Sequence, residues 1–249
     1  MTLKTAVITG ATKGIGRSIA ESFLSSGYNV YVGARNAPEP GTYPVNFNFF
    51  ETDVRDEDSI SWLINKAFTS TGRLDTLINN AGYSEWRSVE NIDSDFLFDI
   101  FRTNIFGVFW GCKSASRIMQ SGSSIINVSS IAGKRGSSNN SAYVATKFAM
   151  NGLTQSLCKE LGPKGIRVNS VCPVLVQTPG LFDALCSADA PSYGMDPVEF
   201  ISEFSNANSA LRRLPTGSEI GEACLFLASD ASSAITGQNI NIDCGVFPQ

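Results

Sequence analysis

Short apolar runs alternate along the chain with stretches in which apolar positions recur every three to four residues. Lys4 to Thr9 reads as a short buried strand, followed by a glycine-rich turn and a helical stretch to Ser26-Gly27. Asn29 to Ala34 and Asn46 to Thr52 read as the second and third strands. Asp56-Glu57-Asp58 opens a helix with acidic residues in its first turn, as the helix dipole favours, and that helix closes near Thr71-Gly72. Leu74 to Asn79 is a fourth strand, about Ser94 to Met119 a long helical segment, and Ser124 to Ser129 a fifth strand. The next helix extends to Leu161 and stops at Gly162-Pro163-Lys164-Gly165. Ile166 to Cys172, a shorter helix over roughly Ser218 to Ser229, and a last strand from Gln238 to Ile242 complete the series. Repeated strand–helix units predict an α/β fold, one doubly wound parallel sheet of about seven strands with helices on both faces. No shift in composition marks a boundary, so residues 1–249 are expected to form a single domain.

Two connections break the rhythm. Between Arg35 and Asn46 lie Pro38, Pro40, Pro44 and Gly41, too short and too broken for a regular crossover helix. Parallel strands usually need a dozen or more residues between them, so this link is at the lower limit. The stretch from Pro179 to Pro215 is long, mixed in character and carries Pro191 and Pro197; it reads as a substrate lid.

Composition narrows the chemistry. Of 249 residues, 43% are hydrophobic, and 19 basic against 23 acidic side chains leave a net charge of −4. That balance offers nothing to nucleic acid. No apolar run approaches the roughly 20 residues that span a bilayer, and Met1-Thr2-Leu3-Lys4-Thr5 lacks a signal-peptide layout. A cytoplasmic protein with no nucleic-acid or membrane partner is expected. Cys112, Cys158, Cys172, Cys186, Cys224 and Cys244 are scattered without C-x-x-C spacing and read as reduced thiols. With no histidine and no clustered cysteines, no metal site is expected. Ser-His-Asp and Cys-His mechanisms are excluded for the same reason. The chemistry must come from hydroxyls, phenols, amines, amides or a bound cofactor.

Tyr143 and Lys147, four apart on a helix, are neighbours on one face. An ammonium beside a phenol favours the phenolate and lowers a pKa that is normally about 10. Tyr143 is therefore a candidate proton donor and acceptor, and Ser130, thirteen residues upstream, offers a hydroxyl to a substrate oxygen. Alone, such a pair more often marks a solvated lysine beside a helix aromatic. The first strand runs into Thr9-Gly10-Ala11-Thr12-Lys13-Gly14-Ile15-Gly16. Three glycines between a strand and a helix let the backbone approach a pyrophosphate at the positive helix end. The spacing G-x-x-x-G-x-G is not the G-x-G-x-x-G fingerprint, and such a turn alone is equally simple chain reversal.

Together, T-G-x-x-x-G-x-G at Thr9 to Gly16, Asn79-Asn80-Ala81-Gly82, Ser130 and Tyr143-x-x-x-Lys147 resemble the short-chain dehydrogenase/reductase family, over nearly the whole chain. The resemblance is strongest to 3-oxoacyl-(acyl-carrier-protein) reductase-like members and implies a Rossmann-like fold. It implies reversible hydride transfer between a nicotinamide cofactor and a carbonyl or secondary alcohol. Asn104, Ser130, Tyr143 and Lys147 fall on the family's catalytic positions. Tyr143 would carry the proton, Lys147 would lower the phenol's pKa and hold the nicotinamide ribose, and Ser130 would fix the substrate oxygen. Asn104 would help hold a water that links the lysine to solvent. Gly10, Thr12, Lys13, Gly14, Ile15 and Gly16 would form the cofactor turn. Asp53 and Val54 would meet the adenine, and Asn80, Ala81 and Gly82 would line the ribose and nicotinamide side. Pro173, Val176 and Thr178 match the family's pattern after the sixth strand.

Ala34, eighteen residues after Gly16, stands where members that prefer NAD often carry aspartate. Arg35 follows it and Lys13 lies in the turn; two cations and no acid suit a 2′-phosphate. NADP(H) is the expected cofactor, with NAD(H) the alternative. Two departures stand out. Val174 follows Pro173 where the family usually has glycine, and a β-branched residue disfavours positive φ. Asp243-Cys244-Gly245 replaces a frequent D-G-G, a change that looks minor.

Substrate-pocket candidates are Tyr83 to Arg87, Ile131 to Arg135, and Leu181 to Phe204, the last mixing Phe182, Tyr193, Phe200 and Phe204 with Asp183, Asp189, Asp196 and Glu199. The substrate is expected to be a small carbonyl or alcohol: a 3-oxoacyl thioester, or alternatively a sugar, polyol or secondary metabolite. A non-catalytic NADPH-binding protein and a sugar-modifying epimerase are the rivals from other classes. The family's habit implies a homodimer or homotetramer, and Ala145, Ala149, Gly152 and Ser156 form a small-residue stripe for close packing, either between subunits or within the core.

Overall fold

The computed structural model describes residues 3–39, 41 and 43–248. Seven parallel strands form one sheet in the order β3-β2-β1-β4-β5-β6-β7. They are β1 (Thr5–Thr9), β2 (Asn29–Ala34), β3 (Phe47–Glu51), β4 (Thr76–Asn79), β5 (Ser124–Val128), β6 (Arg167–Pro173) and β7 (Asn239–Ile242). The eight α-helices described are α1 (Gly14–Ser25), α2 (Glu57–Thr71), α3 (Ser94–Phe101), α4 (Gly107–Ala115), α5 (Ser141–Leu161), α6 (Pro179–Leu185), α7 (Pro197–Asn208) and α8 (Gly217–Ala228). This is the Rossmann-like arrangement expected from the alternating pattern. The strand order reverses between β1 and β4, which opens a crevice at the carboxyl ends of the strands.

Helices cover both faces because alternate residues of each buried strand point to opposite sides. Ala6 and Ile8 of β1 join Val30, Val32, Ile78 and Ile126 under α1 and α8. Val7 between them points the other way, with Tyr31, Leu77, Ile125 and Val168, under α2, α4 and α5. Fully buried Ile8, Leu63, Ile64, Leu77 and Ile125 each contribute about 1.5–3 kcal/mol.

Two sequence expectations need adjusting, and the broken link between β2 and β3 stands as read. The long helical segment from Ser94 is interrupted at Arg102–Phe106 by a wider π turn and ends at Ala115. Between β2 and β3, which pair in parallel, the described residues of the link form no helix; Pro40 lies outside the described residues. The 179–215 stretch contains α6 and α7, each begun by a capping side chain followed by proline. Thr178 accepts from the Leu181 N–H, and Asp196 accepts from the N–H groups of Val198 and Glu199. Leu185, Ala190, Ile201 and Leu214 of this stretch are buried with Trp86, Ile131, Val174 and Val246.

The small-residue stripe on α5 is not core. Ala145, Ala149, Gly152 and Ser156 are all exposed, and a side chain at Gly152 would meet nothing within 4 Å.

Candidate active site

At the carboxyl end of β1, Gly10 (φ +68°) and Gly14 (φ +58°) adopt left-handed backbone that only glycine takes readily. A Cβ on Gly10 would lie 2.8 Å from the Ala81 Cα, and one on Gly16 would strike the Gly10 carbonyl oxygen and the Asn80 amide. Asn80 fastens this turn to β4. Its Nδ2 donates to the Thr9 and Gly10 carbonyl oxygens at 2.9 and 3.0 Å, while Thr9 Oγ1 accepts from the Asn80 and Ala81 N–H groups, both at 3.1 Å. α1 starts at Gly14 with Lys13 as its N-cap, and no side chain caps its first N–H groups. A close-approach glycine turn ahead of an uncapped helix N-terminus fits a pyrophosphate.

The other predicted cofactor residues surround the turn. Thr12 and Ile15 are half-buried in it. Thr178 reaches it from beyond β6, its Cγ2 lying 3.7 Å from a Cβ built on Gly14. Val176 is buried with Ala11 and Ile8, and Val54 packs over Gly107, where a Cβ would approach its own Cβ to 2.9 Å. Gly82 sits against the Asn104 carboxamide oxygen, 2.9 Å from an added Cβ.

The adenine side carries an ion-pair network around Asp53. The Asp53 carboxylate is taken up by Arg55, whose Nε donates to both oxygens at 3.0 Å and whose Nη2 donates to Oδ2 at 2.7 Å. Arg55 Nη1 also donates to Asp99 Oδ1 at 2.7 Å. These contacts hold Asp53 and Asp99 below the ordinary carboxylate range, with the charge of Arg35 adding to the effect. Arg35 and Lys13 are exposed. Arg35 borders an open cleft of about 560 Å³ with Tyr83, Arg87, Phe96 and Asp99 on its walls. The acids near Arg35 are a feature that the local sequence around Ala34 does not reveal.

Ser130 follows β5 and caps a short turn over Ile131–Gly133. Its Oγ accepts from the Ala132 N–H at 3.1 Å and donates to the Pro173 carbonyl oxygen at 3.4 Å. The Ser130 side chain favours the Tyr143 phenolate, but burial of the phenol hydroxyl outweighs it and pushes the phenol up to about 12. Lys147 Nζ lies 5.5 Å from the Tyr143 ring centroid and donates to the Val128 carbonyl oxygen at 2.8 Å. Burial lowers its pKa to about 8. The lowered phenol pKa expected from the sequence is therefore opposed here by burial of the hydroxyl.

Asn104 lies inside the π turn and is fully buried. Its Oδ1 accepts from the Tyr83 N–H at 3.0 Å, and its Nδ2 donates to the Tyr83 carbonyl oxygen at 2.9 Å and to Thr146 Oγ1 at 3.2 Å. Tyr83, Thr146 and Asn151 were not singled out for this role by sequence. Asn151 Nδ2 donates to the Gly133 carbonyl oxygen at 2.9 Å, and a Cβ on Gly133 would lie 2.7 Å from the Lys147 carbonyl oxygen. The Ser130 turn is thus seated directly on α5. The one available signal was Thr146, which lies within the Tyr143–Lys147 motif.

Both departures from the family pattern acquire a structural meaning. Val174 is not among the positive-φ residues and is buried in the apolar cluster with Trp86 and Ile131. Cys244 does have positive φ, +54°. The replacement of glycine there places a Cβ on left-handed backbone.

Comparison with known proteins agrees over nearly the full chain. The family model described as "Enoyl-(Acyl carrier protein) reductase" matches residues 10–247. The chain is 33% identical to a 3beta-hydroxysteroid dehydrogenase of Mediterraneibacter gnavus, covering 97% of this chain and 94% of that one. It is 32% identical to the 3-oxoacyl-(acyl-carrier-protein) reductase FabG of Staphylococcus aureus, covering 98% of both. A trans-4-hydroxycyclohexanecarboxylate dehydrogenase of Sinomonas cyclohexanicum is 36% identical, over 97% of this chain and 92% of its own. The ligand-free structure of Thermoplasma acidophilum aldohexose dehydrogenase superposes with a TM-score of 0.89 at 31% identity, covering 99% of this chain and 98% of that one.

Proposed function

We propose that this chain, which belongs to the short-chain dehydrogenase/reductase family and is an oxidoreductase of alcohol or carbonyl groups, uses NADP(H) and reduces a 3-oxoacyl thioester. What carries the reading is the convergence of Ser130, Tyr143 and Lys147 beside the carboxyl ends of β5 and β6. Bound NADP(H) supplies or accepts the hydride. In reduction, Ser130 Oγ hydrogen-bonds the substrate oxygen and the Tyr143 hydroxyl gives its proton to that oxygen. Lys147, with a pKa near 8, keeps an ammonium beside the phenol at neutral pH and stabilises the phenolate left behind. Asn104 holds the backbone of the Tyr83 loop beside α5. Lys13 and Arg35 support the 2′-phosphate preference, since no carboxylate ends β2.

One observation favours a second substrate class. Ile131 and Val174, the residues next to Ser130 and Pro173, are buried together with Trp86 and Leu185. An apolar wall there supports a compact carbonyl on an apolar frame, a secondary metabolite rather than a sugar or polyol. NADPH consumption measured with an acetoacetyl thioester and with cyclic ketones separates the two. Turnover of the thioester supports the first class, turnover of the ketones alone the second, and turnover of neither contradicts both.

The homodimer or homotetramer expectation is kept. The exposed stripe on α5 and the exposed Phe148 beside it, with Phe106 and Phe109 on the preceding segment, are the kind of apolar surface that subunit contacts cover. Among the described residues no helix is long and apolar enough to cross a membrane. Six free cysteines support a reducing compartment such as the cytoplasm.

A further inference from the structure

A continuous hydrogen-bonded path runs from the adenine side of the crevice to the first turns of α5. Asp99 on α3 accepts from Arg55 Nη1 at 2.7 Å through Oδ1 and from the Tyr83 hydroxyl at 3.0 Å through Oδ2. Tyr83 offers both its peptide groups to Asn104, its N–H to Oδ1 and its carbonyl oxygen to Nδ2. Asn104 Nδ2 passes its other hydrogen to Thr146 Oγ1, and Thr146 Oγ1 donates to the Tyr143 carbonyl oxygen at 2.7 Å. The Tyr83 ring packs in the same small cluster as Phe96, Ile100 and Tyr143.

We propose that Asp99, acting through Tyr83, is a positioning residue for the proton-transfer centre. The inference rests on the reading of Asn104 and Tyr143 given above. A fully buried carboxamide must have its donors and acceptor paired. Asn104 uses one oxygen and both hydrogens on Tyr83 and Thr146, so it cannot turn without stranding a buried polar group. Its position is thereby tied to the Tyr83 backbone. That backbone follows a glycine, Gly82, and the Tyr83 hydroxyl is anchored by an ionised carboxylate in a charge-assisted hydrogen bond. Arg55 in turn fixes the Asp99 carboxylate and shares its guanidinium with Asp53. The alternative is that Asp99 and Arg55 form an ordinary surface ion pair with no influence beyond it.

The side chain of Asp99 is 41% exposed, so replacing it does not empty the core. Full-length Asp99→Leu, which removes the acceptor, and Asp99→Asn, which keeps one for the Tyr83 hydroxyl, separate the two accounts. Amide hydrogen exchange at Tyr83 and across 103–107 should accelerate about tenfold in Asp99→Leu and return toward the native rate in Asp99→Asn. With a carbonyl that the native chain reduces, kcat should fall about tenfold in Asp99→Leu while the KM for NADPH stays within about twofold, and Asp99→Asn should recover most of it. Unchanged exchange in Asp99→Leu overturns the proposal. So does equal loss in both variants, which would assign the effect to the ion pair. Retained turnover in Tyr143→Phe would instead reject the catalytic reading, and the exchange rates would still decide whether Asp99 holds the Asn104 clamp.

Discussion

Lys147 Nζ lies 5.5 Å from the Tyr143 ring centroid and hydrogen-bonds the Val128 carbonyl oxygen at 2.8 Å. The two groups are shifted in opposite senses by burial, the phenol up to about 12 and the amine down to about 8. Each is biased toward its neutral form, as expected of polar groups enclosed without a full countercharge. The ammonium is thus held at a cost to stability, in a position where it can favour a phenolate as it forms.

That cost has a definite pH signature. An unfolded lysine titrates near 10.5 and Lys147 in the fold near 8, so between these values the unfolded chain binds the extra proton. Stability of the native chain therefore rises with pH across that window, relative to a variant without the amine. Lys147→Met should be more stable relative to the native chain below about pH 8 than at pH 10, the gap changing by up to about 3 kcal/mol. Urea unfolding midpoints of both proteins across this range test it, and a pH-independent gap would show that the amine is not buried as described.

Cofactor preference should follow the two exposed cations at the turn. The Lys13→Ala, Arg35→Ala double variant should bind NADPH about 10- to 100-fold more weakly and NADH within about twofold of the native chain. Fluorescence titration with each cofactor is sufficient. An unchanged NADPH-to-NADH ratio would reject the 2′-phosphate assignment.

Cys244 adopts φ +54°, a conformation costing a residue with a Cβ about 1–2 kcal/mol. Glycine removes that strain but adds about 0.5–1 kcal/mol of unfolded-chain entropy. Cys244→Gly should thus be neutral or stabilising by up to about 1.5 kcal/mol, whereas β-branched Cys244→Val should destabilise by about 1–3 kcal/mol. Denaturant unfolding of the pair distinguishes them, and equal effects would mean that the backbone relaxes.

The strands were legible because a sheet buried on both faces demands near-continuous apolar runs; Thr5–Thr9 and Ser124–Val128 are buried at every position. The π turn at Arg102–Phe106 was not, since one extra residue in a helix hardly disturbs its apolar period. α6 and α7 were readable in principle from Thr178-Pro179 and Asp196-Pro197, a capping residue followed by proline each time. The candidate site was legible where it repeats a motif. Asp99, Tyr83 and Arg55 carry no motif, and they meet only because the ends of α3, β3 and β4 converge. Two carboxylates near Arg35 are likewise a tertiary fact.

The most direct test is turnover of NADPH with an acetoacetyl thioester by the native chain and by Tyr143→Phe, with NADPH affinity measured for both. The expected result is a loss of turnover of about 10²- to 10⁴-fold in the variant, with affinity within about twofold. Turnover retained in Tyr143→Phe would contradict the assignment of Tyr143 as proton donor and, with it, the mechanism.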